Sequence, residues 1–283
     1  MHVALGYQWM AHHAAYHIER AFAAEGHSVT YVGLPAPQRA GYDSRVDVDK
    51  LLAQFTPQPE LYFWIDPAGP YFPRGIERLP LPTACYLIDV HLGGWREHAA
   101  RFFDLVFVAQ KDYVAAYRQL VGHDQVYWLP LGAAPDVHYR HDLPPQYDVA
   151  FVGSVAAAHK RTSSRMRRLQ LLAARYHTND VFAPTPVEEV GRIYSQARIV
   201  FNTSIAGDVT MRVFEGTASG ALLLTDSVHN GLDELFGVGQ ELVVFGDDEE
   251  MLAKIDYYLG HEEERAAIAA AGCLRTHREH TYN

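Results

Sequence analysis

The chain has 283 residues, 48% of them hydrophobic, which suits two globular domains with cores of their own and argues against disorder. Its 24 Lys and Arg stand against 34 Asp and Glu, and the net charge of −10 speaks against general nucleic-acid binding, which draws its affinity from phosphate neutralisation. Two cysteines, Cys85 and Cys273, lie far apart and argue against a disulfide framework or a zinc ribbon.

The N-terminus enters a strand with no signal-peptide pattern, and no stretch approaches the ~18 apolar residues of a membrane helix. A cytoplasmic protein without a transmembrane segment is expected. In chain order, His2–Leu5 reads as a short buried strand, Ala14–Ala24 as a helix on the spacing of Ala15, Ile18 and Phe22, and Val29–Val32 as a second strand after Gly26. Tyr62–Ile65, Ala84–Ile88 and Leu105–Val108 follow as strands, then a helix at Tyr113–Val121 and a strand at Val126–Leu129. Their brevity and lack of clean alternation suit a parallel sheet covered on both faces.

From Gly132 to Pro145 three prolines and scattered charge mark a loop, which divides the chain into domains at 1–140 and 146–283. A second series follows, with strands at Asp148–Val152, Ile199–Asn202, Ala221–Thr225 and Leu242–Phe245. Helices are expected near Ser163–Tyr176, Val187–Gln196, Met211–Ser219 and Glu249–Leu259. Asp247 with Glu250 has a capping-box layout, and Gly220 stands where a helix C′ glycine belongs. Two such series predict an α/β protein of two facing Rossmann-like domains with parallel sheets and an interdomain cleft. Ligands of open parallel sheets lie beyond the carboxyl ends of the strands.

Three loops of the second half carry suitable chemistry there. Gly153-Ser154 follows the first strand, and Lys160-Arg161 precedes the next helix, a natural diphosphate arrangement of close backbone and cations. Lys160 and Arg161 open a run of six basic residues with Arg165, Arg167, Arg168 and Arg175, which reads either as a solvated helix face or as an anion site. Asn202, Ser204 and Asp208 follow the second strand and lead into Met211-Arg212-Val213-Phe214-Glu215. Arg212 in the first helical turn can add to amide donors around a phosphate, and Glu215, on the same face, can accept both hydroxyls of a ribose. The plainer alternative is an Arg–Glu surface pair with small residues packed under the sheet. Thr225 and Asp226 close the segment.

The run Gly207-Asp208…Met211-Arg212-Val213-Phe214-Glu215…Ala218-Ser219-Gly220-Ala221-Leu222-Leu223-Leu224-Thr225-Asp226 resembles the donor-site signature of GT-B glycosyltransferases, in particular the CgeB-like (spore-maturation) branch. Phe151-Val152-Gly153-Ser154, Ile193-Tyr194-Ser195, Val200-Phe201-Asn202, Asn230-Gly231-Leu232 and the terminal Ala271-Gly272…His280-Thr281-Tyr282 support it. The resemblance implies a GT-B architecture and a transferase that takes a sugar from a UDP- or TDP-linked donor. Glu215 would hold the ribose, and Arg212 with the Gly153 loop the diphosphate, with no cofactor and no metal. Retaining members often carry an acid eight positions before the ribose-binding one. Here that position is Gly207, with Asp208 beside it, so retaining and inverting chemistry both stay open. The chain ends at Asn283, so the final helix with which many GT-B proteins cross back onto the first domain is not expected.

The first half resembles the same group through Cys85-Tyr86-Leu87-Ile88-Asp89-Val90-His91, Phe107-Val108-Ala109-Gln110 and Leu129-Pro130-Leu131-Gly132-Ala133. Asp89 and His91, just after a strand, are the candidates for base or acceptor-positioning group, and Asp66 follows another strand. A loop or cap role is the alternative. His13/His17 and His277/His280 have spacings that suit a metal, but no Glu or Cys completes a set. His12 and His13 are placed at the cleft instead. A nicotinamide dehydrogenase is disfavoured, because Leu5-Gly6-Tyr7-Gln8-Trp9-Met10 lacks the glycine fingerprint.

Overall fold

Residues 1–43, 46–67, 71–154, 163–204, 206–226 and 229–283 are described by the computed structural model. Their packing divides the chain into one unit of Met1–Pro130 with Asn283 and a second of Leu131–Tyr282.

The first unit is built on six parallel strands: β1 (His2–Gly6), β2 (Ser28–Tyr31), β3 (Leu61–Ile65), β4 (Thr83–Leu87), β5 (Leu105–Val108) and β6 (Val126–Trp128), in the order β2-β1-β3-β4-β5-β6. Leu5 lies in register with Tyr31 on one side and Phe63 on the other. Four helices connect them, α1 (Ala14–Ala24), α2 (Val48–Leu52), α3 (Trp95–Ala100) and α4 (Val114–Val121). All five residues of β1 and of β4 are buried, as a sheet covered on both faces requires. Trp64, Cys85, Leu87 and Val106 anchor one core face, where Trp64 stacks on Phe103 at 5.6 Å.

The second unit has four parallel strands, β7 (Tyr147–Ala150), β8 (Ala197–Phe201), β9 (Leu222–Asp226) and β10 (Val243–Phe245), ordered β10-β9-β8-β7. A parallel bridge from Val149 to Thr178 extends the sheet beyond β7. The chain thus leaves β7 to one side and returns to the other as β8, so the strand order reverses between them. That reversal is where open α/β sheets splay their loops and bind ligands. Helices α5 (Ser163–Arg175), α6 (Val187–Ser195), α7 (Met211–Ala218), α8 (Leu232–Leu235), α9 (Asp248–Gly260) and α10 (Glu262–Glu279) complete the unit.

The expected strands and helices are present, with ends shifted by a residue or two. Asp247 caps α9 by accepting the Glu250 amide at 2.8 Å, and Gly220 takes φ +78° after α7. The sequence reading did not anticipate α10. Its buried positions, Arg265, Ile268, Ala269, Gly272 and Thr276, hold only one large apolar side chain and so give no apolar stripe. It packs instead on α7, where Thr276 Oγ1 meets Thr217 Oγ1 at 2.7 Å, and on the turn before β10, where a Cβ on Gly272 would lie 2.2 Å from the Glu241 carbonyl.

The proline loop goes with the second unit from Leu131 onward, ahead of the division read from the prolines. Its start is laced to the C-terminal tail: the Ala133 amide donates to the His280 carbonyl and the Tyr282 amide to the Ala133 carbonyl, both at 2.9 Å. Among the described residues no helix is long and apolar enough to cross a membrane.

Candidate functional site

At the reversal point of the second sheet, the chain leaves β7 through Phe151, Val152 and Gly153, and leaves β8 through Asn202, Thr203 and Ser204. Phe151 is clamped by Asn179, which accepts its amide and donates to its carbonyl, both at 2.9 Å. Above this floor α7 begins without a side-chain cap. Thr210, the residue in N-cap position, donates its hydroxyl to Asn202 Oδ1 at 3.0 Å instead of accepting an amide. The first turn of α7 therefore keeps amide donors and the positive end of the helix dipole for another acceptor.

Arg212 is buried, with 8% of its surface exposed. Its Nε donates to the Val152 carbonyl at 2.8 Å, its Nη1 to Asn202 Oδ1 at 2.7 Å, and its guanidinium lies 4.2 Å from the centre of the Phe151 ring. It ties the β7 loop, the β8 loop and α7 together. Gly153 makes room for it: a Cβ there would fall 2.1 Å from Arg212 Nη2.

A second guanidinium, Arg165 on α5, comes to the same ring at 5.9 Å. Nη2 donates to the Thr203 carbonyl at 2.8 Å and Nη1 to the Ser154 carbonyl at 3.3 Å, while Nε, also buried, has no hydrogen-bond partner among the described residues. Burial, and then the neighbouring Arg212 charge, push the Arg165 guanidinium down to about 10, against the pull of Asp226. Two cations held this close under an uncapped helix start form a site that favours an anion. Sequence reasoning saw Arg165 only as one of six basic residues. Its contact with Thr203, 38 residues on in the chain, had no signal in spacing.

The other expected donor-site residues divide by role. Asn202 and Thr225 are fully buried, with Asn202 Nδ2 donating to Thr225 Oγ1 at 2.8 Å. As they stand they brace Arg212 and Thr210 and present no surface to a ligand. Ser204 donates both its amide, at 2.8 Å, and its hydroxyl, at 3.2 Å, to Asp226, so it fixes the loop after β8. Arg168, also from the basic run, reaches Asp226 at 3.5 Å and Asp248 at 2.8 Å. Asp208 is buried beside Gly207, whose carbonyl accepts from Asn230 at 2.9 Å. Ser154 is exposed. Lys160 and Arg161 lie outside the described residues.

Glu215, one turn along α7 from Arg212, faces His138 of the proline loop, with Oε1 3.7 Å from His138 Nε2. The Tyr194 and Tyr282 phenols are pushed up chiefly by burial, and the Glu215 charge adds to the effect on both.

In the first unit, Asp89 occupies the N-terminal position of a 3-10 turn over Val90–Leu92 and makes no side-chain cap. Its carboxylate is half exposed, 3.9 Å from Arg96, and His91 shares the turn. Asp66 underpins it: the buried carboxylate accepts the Ile88 and Asp89 amides at 3.2 Å and Arg96 Nε at 2.6 Å. Burial raises the Asp66 carboxyl, against the Arg96 charge. His13 caps α1 by accepting the Ala15 amide at Nδ1, and burial lowers its imidazole to about 4. At the end of β1, Tyr7 donates to Glu19, which also pairs with Arg39. His277 and His280 each engage a backbone carbonyl, of Ala218 at 3.0 Å and Leu235 at 2.8 Å, so the pair faces two different groups.

Comparison with known proteins accords with this arrangement. Residues 143–283 match the family described as Glycosyl transferase-like. The structure is similar to that of HepE from Anabaena, solved with UDP and glucose, with a TM-score of 0.69 at 12% identity over 99% of this chain and 96% of that one. Sucrose-phosphate synthase from Thermosynechococcus elongatus gives 0.67 at 12% identity, covering 99% and 95%. A protein assigned as a UDP-N-acetylglucosamine 2-epimerase from Listeria monocytogenes gives 0.60 at 10% identity, covering 98% and 94%. No curated protein sequence matches the chain. The chain thus has the GT-B fold of two Rossmann-like units, and its second half matches the glycosyl transferase-like family.

Proposed function

We propose that this chain is a metal-independent glycosyltransferase that moves a sugar from a UDP- or TDP-linked donor to an acceptor hydroxyl or amine. The observation that carries the reading is the pair of buried guanidinium groups, Arg165 and Arg212, gathered at the strand ends beneath the uncapped start of α7. In this reading the diphosphate lies over Gly153 and the first turn of α7, and Glu215 accepts the ribose hydroxyls. As the bond from the sugar's anomeric carbon to the diphosphate oxygen breaks, the electron pair goes to that oxygen. The two fixed cations and the helix dipole meet the developing charge without reorganising. The acceptor oxygen bonds to the anomeric carbon and gives its proton to Asp89 or His91. The likeness to HepE from Anabaena, which has been solved with UDP, with UDP and glucose, and with UDP-glucose, supports a uridine-linked donor. The Met211–Glu215 run favours the CgeB-like branch, acting in the cytoplasm.

A second reading, a nucleotide-sugar epimerase or hydrolase on the same body, has support in the likeness to the Listeria epimerase. It differs in turning over donor with no acceptor present.

A thermal-shift panel of UDP, TDP, GDP and ADP tests the site. A ligand at 100 times its Kd adds about 2.7 kcal/mol to the folded state, or about 5–10 °C for a unit of this size. At least one diphosphate is expected to give such a shift, and Glu215→Ala and Arg212→Ala to reduce it strongly. No shift with any of the four overturns the proposal.

A further inference from the structure

A carboxylate that grips both hydroxyls of a ribose must hold its plane. The last torsion of a glutamate is broad and nearly two-fold, so an unrestrained Glu215 would sample many planes. What surrounds that carboxylate therefore decides how well it binds, and the elements around it are unusually well anchored.

His138 is 0% exposed. Its amide donates to the Ala134 carbonyl at 2.7 Å, and its Nδ1 accepts the Ala134 amide at 3.0 Å. An amide can only donate, so Nδ1 carries no proton, and in the neutral ring the proton sits on Nε2. Nε2 is the atom 3.7 Å from Glu215 Oε1.

The loop behind the ring is fixed from two sides. On one side Ala133 is laced to the tail at His280 and Tyr282. On the other, α6 presses against it: a Cβ on Gly191 would lie 2.3 Å from the Val137 carbonyl, and Ser195 Oγ, which donates to the Gly191 carbonyl at 2.7 Å, accepts the His141 amide at 3.0 Å. The close approach at Val137 requires glycine on the helix. The imidazole is thereby held with Nε2 toward the Glu215 carboxylate, 3.7 Å from Oε1.

We propose that His138 is a positioning residue, whose Nε2–H holds the Glu215 carboxylate in the plane that accepts the two ribose hydroxyls of the donor nucleotide. The inference rests on the ribose role of Glu215 proposed above. It assigns to a loop outside the signature segment the task of setting preference for a ribose over a sugar lacking both hydroxyls.

The test compares binding of the tightest of UDP, GDP and ADP with its 2′,3′-dideoxy analogue by calorimetry, in the full chain and three variants. Hydrogen bonds to a charged group predict that the wild type prefers the ribose form by about 10- to 100-fold. His138→Asn keeps an acceptor for the Ala134 amide but stops short of Glu215, and His138→Leu removes both contacts. In whichever of these keeps its far-UV spectrum, the preference should fall to about 3-fold or less, while binding of the dideoxy analogue stays unchanged. His138→Gln, whose amide nitrogen reaches the Nε2 position, should restore most of the preference. A folded Asn or Leu variant with the full wild-type ratio overturns the positioning role and leaves the ribose role of Glu215 standing. A wild type that binds both analogues equally overturns the ribose role, and the positioning role falls with it.

Discussion

Replacing Gly153 by alanine puts the packing of the phosphate site to a quantitative test. The added Cβ would stand 2.1 Å from Arg212 Nη2, so the guanidinium must retreat by about 1.3 Å to reach ordinary contact at ~3.4 Å. A shift of that size stretches the bonds to the Val152 carbonyl and Asn202 Oδ1 from 2.8 and 2.7 Å beyond useful length. Each is charge-assisted and contributes about 1.5–3 kcal/mol when intact. Allowing for partial retention, Gly153→Ala should cost about 2–4 kcal/mol, or roughly 4–16 °C in the unfolding midpoint. In an Arg212→Ala background the nearest remaining contact of the same substitution is the Phe151 ring, at 3.1 Å, and the change should cost under about 1 kcal/mol. Urea unfolding of the four proteins gives the coupling directly. Equal costs in both backgrounds would refute the claim that Gly153 is there to seat Arg212.

Arg165→Gln should weaken binding of the preferred nucleoside diphosphate about 10-fold or more, whereas Arg175→Gln, whose exposed ion pair with Asp256 lies at the surface, should change it little; calorimetric titration checks both. Asp89→Asn and His91→Gln should leave diphosphate affinity intact, and one of them should lower kcat by about 100-fold or more in a donor-turnover assay. The imidazoles of His13, His138 and His280 are all held below their ordinary 6.5, chiefly by burial. On acidification the unfolded chain takes up these protons first, so stability is full above about 6.5 and declines as pH falls toward the folded-state values. The unfolding midpoint should therefore drop between pH 7 and pH 5, and drop less in His138→Asn. A midpoint flat across that range contradicts the assignment of neutral buried rings.

Much of the fold could be read along the chain because parallel strands announce themselves locally. Val106 and Val108, or Leu222 to Leu224, are short apolar runs between turn residues. The 18 residues of α10 escaped because they bury small groups, Gly272 against the Glu241 carbonyl and Thr276 against Thr217 of α7, a fit that depends on partners distant in sequence. The site was legible where its residues share one helix, as Arg212 and Glu215 do. It was not legible where tertiary contacts assemble it. Arg165 and Arg212 come together at the Phe151 ring from separate elements, and His138 reaches Glu215 from a loop that its prolines assign to the other half. Asn202 and Thr225 carry ligand-like chemistry in the right place, but their buried polar atoms have to satisfy one another and Arg212.

Determination of the structure of the chain with its tightest-binding nucleoside diphosphate tests the central claim most directly. The account predicts phosphate oxygens within hydrogen-bond distance of the first-turn amides of α7 and of Arg165 or Arg212, with the ribose hydroxyls on Glu215. A diphosphate bound elsewhere, with those two guanidinium groups still facing only the Val152, Ser154 and Thr203 carbonyls and Asn202, would contradict it.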